Sequence, residues 1–139
     1  MQVSAKTNYA IRALLVIAAH DPLPVTAVAM AREGLPARFV ENILGELRRG
    51  ELVRSRRGRT GGYTLTRPAE LITLGQILRV VDGPLSDLHG LDDEFADAGT
   101  AAHLRAAWEA VIDSVAELLD AITVAQVLAG DVRGPERVA

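Results

Sequence analysis

The 139-residue chain contains no cysteine, and this absence excludes several kinds of chemistry. Without thiols there is no disulfide, no cysteine nucleophile and no ordinary cysteine-ligated iron–sulfur centre. Aromatic residues make up only 4% of the chain, and Lys6 is its single lysine. No apolar run approaches the roughly 18 residues of a membrane span, and the first residues lack the pattern of a secretory signal. We therefore expect a cytoplasmic protein of one ordinary domain, with no membrane partner.

The net charge of −3 conceals a strong asymmetry along the chain. Residues 1–67 hold eleven Lys and Arg against five Asp and Glu, a net +6, whereas residues 68–139 hold four against thirteen, a net −9. A basic segment of this size can neutralise phosphates, which the acidic remainder would repel. Small proteins often have an uneven charge distribution without binding nucleic acid. The positions of the charges must therefore distinguish the two interpretations.

Three helices are predicted in the first 50 residues. Ser4 is a candidate N-cap of the first, and Thr26 is a candidate N-cap of the second. Gly34 suits the left-handed turn after the second helix, and Pro36 suits the first position of the third. Two helices joined by a short turn that contains glycine indicate a helix-turn-helix. The predicted spans are residues 4–20, 26–32 and 36–50.

Two short segments with strand-like alternation follow, residues 52–56 and 63–66, with a turn-rich loop between them. A helix-turn-helix followed by a β-hairpin predicts a winged helix-turn-helix, so the expected fold class is mainly α with a small β-hairpin wing. Thr73 then caps a short helix that ends at Asp82. Residues 83–100 are predicted to form an acidic loop.

A long helix is predicted from about residue 101, with apolar residues in alternating steps of four and three that continue to Ala125. That 3.5-residue spacing is typical of helices packed side by side. A helix packed within one subunit gives a similar pattern, but a two-fold dimer can bury the seam against the same helix of its partner. Thr123 is a candidate cap of a separate last turn. The predicted dimer-interface residues are Leu104, Trp108, Val111, Val115, Leu118 and Ile122.

Outward-facing residues of the third helix are candidate nucleic-acid contacts. Its apolar residues share one face, which leaves Arg38, Glu41 and Asn42 outward near the N-terminus, where recognition helices reach base edges. Glu41 could instead favour the helix dipole or pair with Arg38. Arg48 and Arg49 could contact phosphate, or they could stabilise the C-terminus of the helix.

The hairpin loop concentrates arginine and glycine. Gly58, Gly61 and Gly62 would let its tip approach a groove or a backbone closely. Arginine also gains from the concentrated negative potential of a narrow minor groove. A solvated surface hairpin is the alternative, but four arginines in six residues beside a helix-turn-helix favour DNA contact. The four are Arg54, Arg56, Arg57 and Arg59.

Residues of the first helix extend this candidate interface. Lys6 and Tyr9 could touch the DNA backbone, although Tyr9 is equally compatible with a place in the core.

Four stretches of the chain together form a pattern of residues at fixed spacing. They are Ser4-x-Lys6-x-x-Tyr9-Ala10, Phe39-Val40-Glu41-x-Ile43-Leu44 with Leu47-Arg48, Leu52-Val53-x-Ser55-x-Arg57-Gly58-x-x-Gly61-Gly62-Tyr63-x-Leu65, and Ile72-Thr73-Leu74-Gly75 before Val81-Asp82-Gly83.

With these stretches the chain resembles the Rrf2 family of bacterial transcription regulators. The resemblance implies a homodimer of winged helix-turn-helix domains, joined by the long helix and bound to a palindromic operator in double-stranded DNA. It also implies that Arg38, Phe39 and Glu41 enter the major groove, whereas the wing at residues 57–62 enters the minor groove.

The chain departs from the family pattern at two places. Many relatives have Arg-Gly-Pro-Gly-Gly-Gly-Tyr in the wing, where Arg59 and Thr60 here replace the Pro-Gly. Many relatives also carry three cysteines in the loop at residues 83–100, which hold an iron–sulfur cluster, and this chain has none. Asn8 and Arg12 do not supply the carboxylate and imidazole that some relatives use from the first helix. The resemblance is therefore to cysteine-free members, some of which respond to a protein partner or a small metabolite.

The acidic loop offers nitrogen and oxygen ligands for a divalent metal, but without a diagnostic spacing. Acidic loops are mostly just solvated, so no metal and no cofactor is predicted. The residues concerned are His89, Asp92, Asp93, Glu94, Asp97 and His103.

The sequence thus predicts a homodimeric, sequence-specific DNA-binding regulator, a repressor, acting on an inverted-repeat operator, with an unidentified effector. The alternative is a protein-interaction adaptor that uses the winged helix as a docking surface. No catalytic motif is present, so an enzyme is not expected. The predicted regions are a DNA-binding domain at 1–82, the loop at 83–100, a dimerisation helix region at 101–130 and a tail at 131–139. The predicted DNA contacts are Lys6, Arg38, Phe39, Glu41, Asn42, Arg48, Arg49, Arg56, Arg57, Arg59, Thr60 and Gly61.

Overall fold

The computed structural model describes residues 3–85 and 99–134, which form six α-helices, a two-stranded antiparallel hairpin and a short 3-10 helix at Ala69–Leu71. The fold class predicted from the sequence is confirmed: a mainly helical chain with a hairpin wing and a long C-terminal helix. The elements are α1 (Ala5–His20), α2 (Ala27–Arg32), α3 (Ala37–Arg49), β1 (Val53–Arg56), β2 (Gly62–Leu65), α4 (Leu74–Asp82), α5 (Thr100–Ala121) and α6 (Val124–Ala129).

Hydroxyl side chains cap four of these helices. Each accepts a hydrogen bond from the backbone amide three residues later, as N-cap residues do. At Thr73 and Thr123 the third residue is glutamine, whose side chain accepts from the cap's own amide, so both caps are capping boxes. The four caps are Ser4, Thr26, Thr73 and Thr123.

The start of helix α3 differs from the prediction by one residue. Pro36 is its N-cap and not its first residue, and no side chain caps α3. At the other end the left-handed residue is Glu51, with φ 60°, whereas Gly50 has an ordinary φ of −79°. Gly50 is required for packing, because a Cβ there would lie 2.6 Å from the Val80 side chain of α4.

The core lies between α1, α3 and α4, with the base of the hairpin against it. Helix α6 closes the same core through Val124, which is fully buried. Burying this apolar surface is the main source of stability in a domain of this size. The helix residues at its centre include Ala10, Leu14, Ile17, Ile43, Leu44, Leu47 and Ile77.

A polar cluster ties the start of α1 to the end of α4. Ser4 Oγ lies 3.0 Å from both carboxylate oxygens of Asp82, and the buried Thr7 hydroxyl donates to the same carboxylate. An acid at the C-terminus of α4 opposes that helix dipole, but at the N-terminus of α1 it is favourable. The cluster therefore explains why an aspartate ends α4.

The hairpin is braced by a residue that precedes α2. Val53 pairs with Leu65 and Arg56 with Gly62. Strand β1 begins one residue later than predicted and ends as predicted, whereas β2 begins and ends one residue earlier than predicted. Val25 exchanges two backbone hydrogen bonds with Tyr63, at 3.0 and 2.8 Å, so the wing is anchored to the helix-turn-helix.

Gly62 makes this anchoring possible, and its replacement provides a stability test. Its φ is 144°, and a Cβ there would lie 2.7 Å from the backbone carbonyl of Val25. We expect Gly62→Ala to lower the free energy of unfolding by about 1–3 kcal/mol, measured by chemical denaturation. Gly58→Ala is the matched control, because Gly58 also has a positive φ, 106°, but open space around it. Equal losses in the two variants would contradict the close-approach explanation.

A second joint connects α4 to α5 and α6. The two capping segments pair with each other: the Leu74 amide donates to the Ile122 carbonyl at 2.9 Å, and the Val124 amide donates to the Ile72 carbonyl at 2.8 Å. A further link joins the two helices themselves, because Arg79 of α4 donates two hydrogen bonds to the Asp120 carboxylate of α5, at 2.6 and 2.9 Å.

This ion pair depends on a glycine. A Cβ at Gly75 would lie 2.0 Å from Asp120 Oδ1, so the missing side chain makes room for the carboxylate. The hydrogen bonds from Arg79 lower the pKa of Asp120, and the same bonds raise the pKa of Arg79. The pair therefore stabilises the fold above the ordinary aspartate pKa, and its contribution is lost as the pH falls through the lowered pKa.

The long helix is shorter than its apolar pattern suggests. Helix α5 ends at Ala121, and Ile122 follows in an extended conformation with φ −93° and ψ 119°. The prediction that Ile122 and Ala125 continue the seam of the long helix was wrong, because the backbone turns at the Thr123 cap and Ala125 lies on α6. The separate last turn capped by Thr123 is confirmed.

Most of the predicted acidic loop lies outside the described residues. Helix α4 ends at Asp82, as predicted, and α5 begins at Thr100. Residues 1–2, 86–98 and 135–139 are not described, and residues 86–98 include all the loop residues considered as metal ligands except His103. Among the residues that are described, no three His, Asp or Glu side chains come together as a metal site.

Candidate nucleic-acid interface

Helix α3 presents two faces of opposite character. Its apolar side is buried against α1, α2 and α4, as the periodicity predicts. Its other side is exposed, and it carries cations, an acid, an amide and an aromatic ring. The exposed residues are Arg38, Phe39, Glu41, Asn42, Arg48 and Arg49.

The N-terminal turn of α3 is stacked against α1. The rings of Phe39 and Tyr9 are nearly parallel, with centroids 6.4 Å apart and an interplanar angle of 12°. The Arg38 guanidinium carbon lies 5.8 Å from the Phe39 centroid, and that of Arg12 lies 6.0 Å from the Tyr9 centroid. Four side chains thus form a row, Arg12, Tyr9, Phe39 and Arg38, which we call the aromatic stack.

Lys6 has a partner that the sequence did not suggest. Its Nζ lies 2.7 Å from Glu46 Oε1 on α3. The pair joins α1 to α3, and Glu46 Oε2 is buried without a hydrogen-bond partner among the described residues. A phosphate contact by Lys6 would therefore compete with this ion pair.

The wing carries its cations on the outside. Arg56, Arg57 and Arg59 are exposed, and none of them pairs with an acid in the described part of the chain. The Arg48 guanidinium donates to Ser55 Oγ at 3.4 Å, which connects the end of α3 to β1. The wing and the exposed side of α3 are therefore adjacent parts of one basic surface.

Gly61 closes the tight turn of the wing, and its predicted DNA contact stays a prediction. Its amide donates to the Gly58 carbonyl at 3.0 Å, and a Cβ there would lie 2.2 Å from the Arg56 carbonyl oxygen. The amide is already used within the tight turn, so Gly61 shapes the loop that displays its neighbours. Thr60, the residue before it, is exposed at the tip.

A basic cleft lies behind the wing, and two of its arginines, Arg54 and Arg67, are absent from the list of predicted DNA contacts. The cleft has a volume of about 620 Å³, and Arg48, Arg54 and Arg67 line it together with Glu51. Arg67 donates to Gln76 Oε1 at 2.9 Å, so it also connects the segment after β2 to α4. Its place directly after the second strand is the only sequence signal that could have indicated it.

Helix α5 exposes the predicted apolar seam. None of its residues is buried within the chain, and Trp108 and Leu104 are 44% and 57% exposed. Val111 and Leu118 are also exposed, and Val115 is half-buried. Exposed apolar rows of this length usually mark an interaction surface. Among the described helices, including the 22-residue α5, none combines the length and apolarity of a membrane span.

The fold and this surface define a class of protein: a winged helix-turn-helix with a basic recognition helix and wing. The Rrf2 family, described as iron-dependent transcriptional regulators, matches residues 3–130. The chain belongs to the Rrf2 family of transcriptional regulators.

Relatives and solved structures agree with this assignment. The chain is 40% identical to an HTH-type transcriptional regulator of Mycobacterium tuberculosis strain H37Rv, over 100% of this chain and 87% of that protein. It is 33% identical to the HTH-type transcriptional regulator CymR of Bacillus subtilis, over 88% of this chain and 86% of that protein. The structure of CymR, the global cysteine regulator of B. subtilis, matches with a TM-score of 0.80 and 30% identity, over 94% of this chain and 98% of that one. The structure of T. potens IscR matches with a TM-score of 0.74 and 34% identity, over 94% of this chain and 88% of that one. These relatives are regulators and not enzymes.

The iron implied by the family description does not fit the residues of this chain. A cluster needs thiolate ligands, and the sequence has no cysteine. On α1, Arg12 lies in the aromatic stack and carries a positive charge, so it cannot serve as a ligand. The chain is therefore a cysteine-free member of its family, and no step of its function is derived through an iron–sulfur cluster.

Proposed function

We propose that this protein is a homodimeric, sequence-specific regulator that represses transcription by binding an inverted repeat in double-stranded DNA. The observation that carries the proposal is the continuous basic surface formed by the exposed side of α3 and the wing. Recognition helices enter the major groove, and arginines of a wing suit the narrower minor groove.

The contacts divide into two kinds by their chemistry. Arg38 can donate two hydrogen bonds to guanine, Asn42 can pair with adenine, and Glu41 can accept from the amino group of cytosine. An exposed Phe39 suits the methyl group of thymine. The remaining cations supply affinity through phosphates, without information about sequence. They are Arg48, Arg49, Arg56, Arg57 and Arg59, with Lys6 if its ion pair opens.

Dimerisation supplies the symmetry of the operator. Two copies joined through the exposed row on α5 would present two recognition helices related by a two-fold axis, which requires an inverted repeat. In this arrangement residues 1–82 bind DNA, residues 101–130 contain the dimer interface, and residues 83–100 connect the two.

Helix α4 is suited to carry a signal between these parts. One side of α4 holds Arg79 and Gly75 against Asp120 of α5, and the other side holds Val80 against Gly50 at the end of α3. An effector that tilts α5 would therefore shift α3 through α4. A repressor needs only to occupy its operator, so a change in the distance between the recognition helices is sufficient for release.

The proposal is tested by measuring DNA affinity across salt concentrations. Binding to an operator should fall steeply with salt and exceed binding to a scrambled duplex by about 10³-fold or more. Weak binding without sequence preference would contradict the proposal and favour the adaptor, in which the basic surface docks an acidic protein.

Glu41 provides a test of base recognition. We expect Glu41→Ala to reduce discrimination at one base pair of each half-site by about 1–3 kcal/mol, measured by competition with single-base operator variants. Glu70→Ala, a change of an exposed acid in the 3-10 helix, is the control and should have no effect. A uniform loss of affinity across all sequences would instead assign Glu41 a structural role.

A further inference from the structure

Two residues of α1, Tyr9 and Arg12, contact both helices of the helix-turn-helix. The Arg12 guanidinium donates to the Glu33 carbonyl at the C-cap of α2, at 3.4 Å. It also lies over the Gly34 turn, where a Cβ would be 3.6 Å from its Nη2. Arg12 thus touches the turn that sets the angle between α2 and α3.

Tyr9 continues this contact to the recognition helix. Its ring is close to both the Arg12 guanidinium and the Phe39 ring, and Phe39 is 47% exposed. An exposed phenylalanine on a helix surface samples more than one rotamer unless a neighbour restricts it. Stacking on Tyr9 supplies that restriction, and Phe39 in turn provides a surface for the Arg38 guanidinium.

We propose that Tyr9 and Arg12 are positioning residues that set operator specificity by fixing the orientation of Phe39 and Arg38. This inference rests on the proposed function, because it requires that Phe39 and Arg38 face the bases. The α1 residues read no base themselves. They restrict Phe39 and Arg38 already in the free protein, so these side chains lose less conformational freedom when DNA binds. Pre-organisation of this kind favours the DNA site that matches the fixed side-chain orientation.

A direct phosphate contact by Arg12 or by the Tyr9 hydroxyl is the competing explanation, and the two differ in salt dependence. A lost phosphate contact weakens binding to every sequence and reduces the slope of log K against log salt by about 0.9. A lost positioning contact weakens binding to the operator more than to other duplexes and leaves the slope unchanged.

The experiment measures the affinities of Tyr9→Leu, Tyr9→Phe and Arg12→Lys for the selected operator and for a scrambled duplex at several salt concentrations. For Tyr9→Leu we expect about three- to tenfold weaker operator binding, the size of one aromatic pair, with little change on the scrambled duplex. Tyr9→Phe keeps the stack and should bind as the wild type does. Arg12→Lys keeps the charge but loses the planar group, so its specificity should fall as that of Tyr9→Leu does.

A double-mutant cycle provides a second readout. If Tyr9 acts through Phe39, adding Tyr9→Leu to Phe39→Leu should cost less operator affinity than Tyr9→Leu alone. Thermal unfolding of each variant shows that the fold persists, and Arg12→Lys carries the test if Tyr9→Leu does not fold. Two results would overturn this inference without affecting the proposed function. One is an equal loss of affinity for the operator and the scrambled duplex together with a reduced salt slope. The other is unchanged specificity in both Tyr9→Leu and Arg12→Lys. Absence of sequence preference in the wild type would overturn the proposed function and this inference with it.

Discussion

Reversing the charge of two wing arginines, Arg57→Glu together with Arg59→Glu, is expected to abolish DNA binding. Both side chains are exposed and lack ion pairs in the described part of the chain, so the change places two anions where phosphates would lie. Losing two phosphate contacts and adding repulsion should weaken binding by about 100-fold or more at physiological salt.

The double variant should affect all DNA sequences alike, because wing arginines supply mainly electrostatic affinity. Its melting temperature should match that of the wild type, since neither side chain packs against the core. Arg133→Glu is the control, with a side chain 92% exposed near the C-terminus, and it should bind DNA normally. Operator affinity unchanged in Arg57→Glu with Arg59→Glu would eliminate the wing as a DNA contact.

Charging the exposed row of α5, by Trp108→Glu together with Val111→Glu, is expected to convert the proposed dimer into a monomer. In a single chain both residues are exposed, so the substitutions leave the fold of each subunit intact. In the dimer they would bury two unpaired charges per subunit, which costs several kcal/mol. Sedimentation should show a change from twice 14.8 kDa to 14.8 kDa.

Loss of the dimer should also weaken operator binding, because each half-site would then be bound independently. Ala102→Glu with Ala106→Glu is the matched control, since it adds the same charge on the opposite side of α5. That variant should remain dimeric. If the row variant kept the mass of the wild type, α5 would not form the dimer interface.

Local signals in the sequence predicted most of the fold. The caps Ser4, Thr26, Thr73 and Thr123 each accept a hydrogen bond from the backbone amide three residues later, so short-range chemistry fixes where those helices begin. The apolar face of α3 and the alternation of the hairpin are equally local. The end of α5 shows the limit of that reasoning. The apolar spacing runs on to Ala125, but pairing of the Ile122 segment with the Ile72 segment, 50 residues earlier, turns the backbone.

The candidate site was predicted less completely, because its organisation depends on contacts between distant residues. The outward residues of α3 follow from helical spacing alone. The pairing of Lys6 with Glu46 does not, nor does the stacking of Tyr9 on Phe39, since both depend on how α1 crosses α3. Gly62 was predicted to help the tip of the wing approach a groove or a backbone closely, whereas its approach to the Val25 backbone depends on the fold and was not predicted.

The central claim is that a symmetric dimer reads a specific DNA sequence, and selection from a random duplex pool tests it most directly. The purified 139-residue protein would be incubated with the pool near physiological salt, and bound duplexes would be sequenced. The account predicts enrichment of an inverted repeat whose half-sites are one helical turn, or a multiple of it, apart. Recovery of single half-sites without symmetry, or of no preferred sequence, would contradict it.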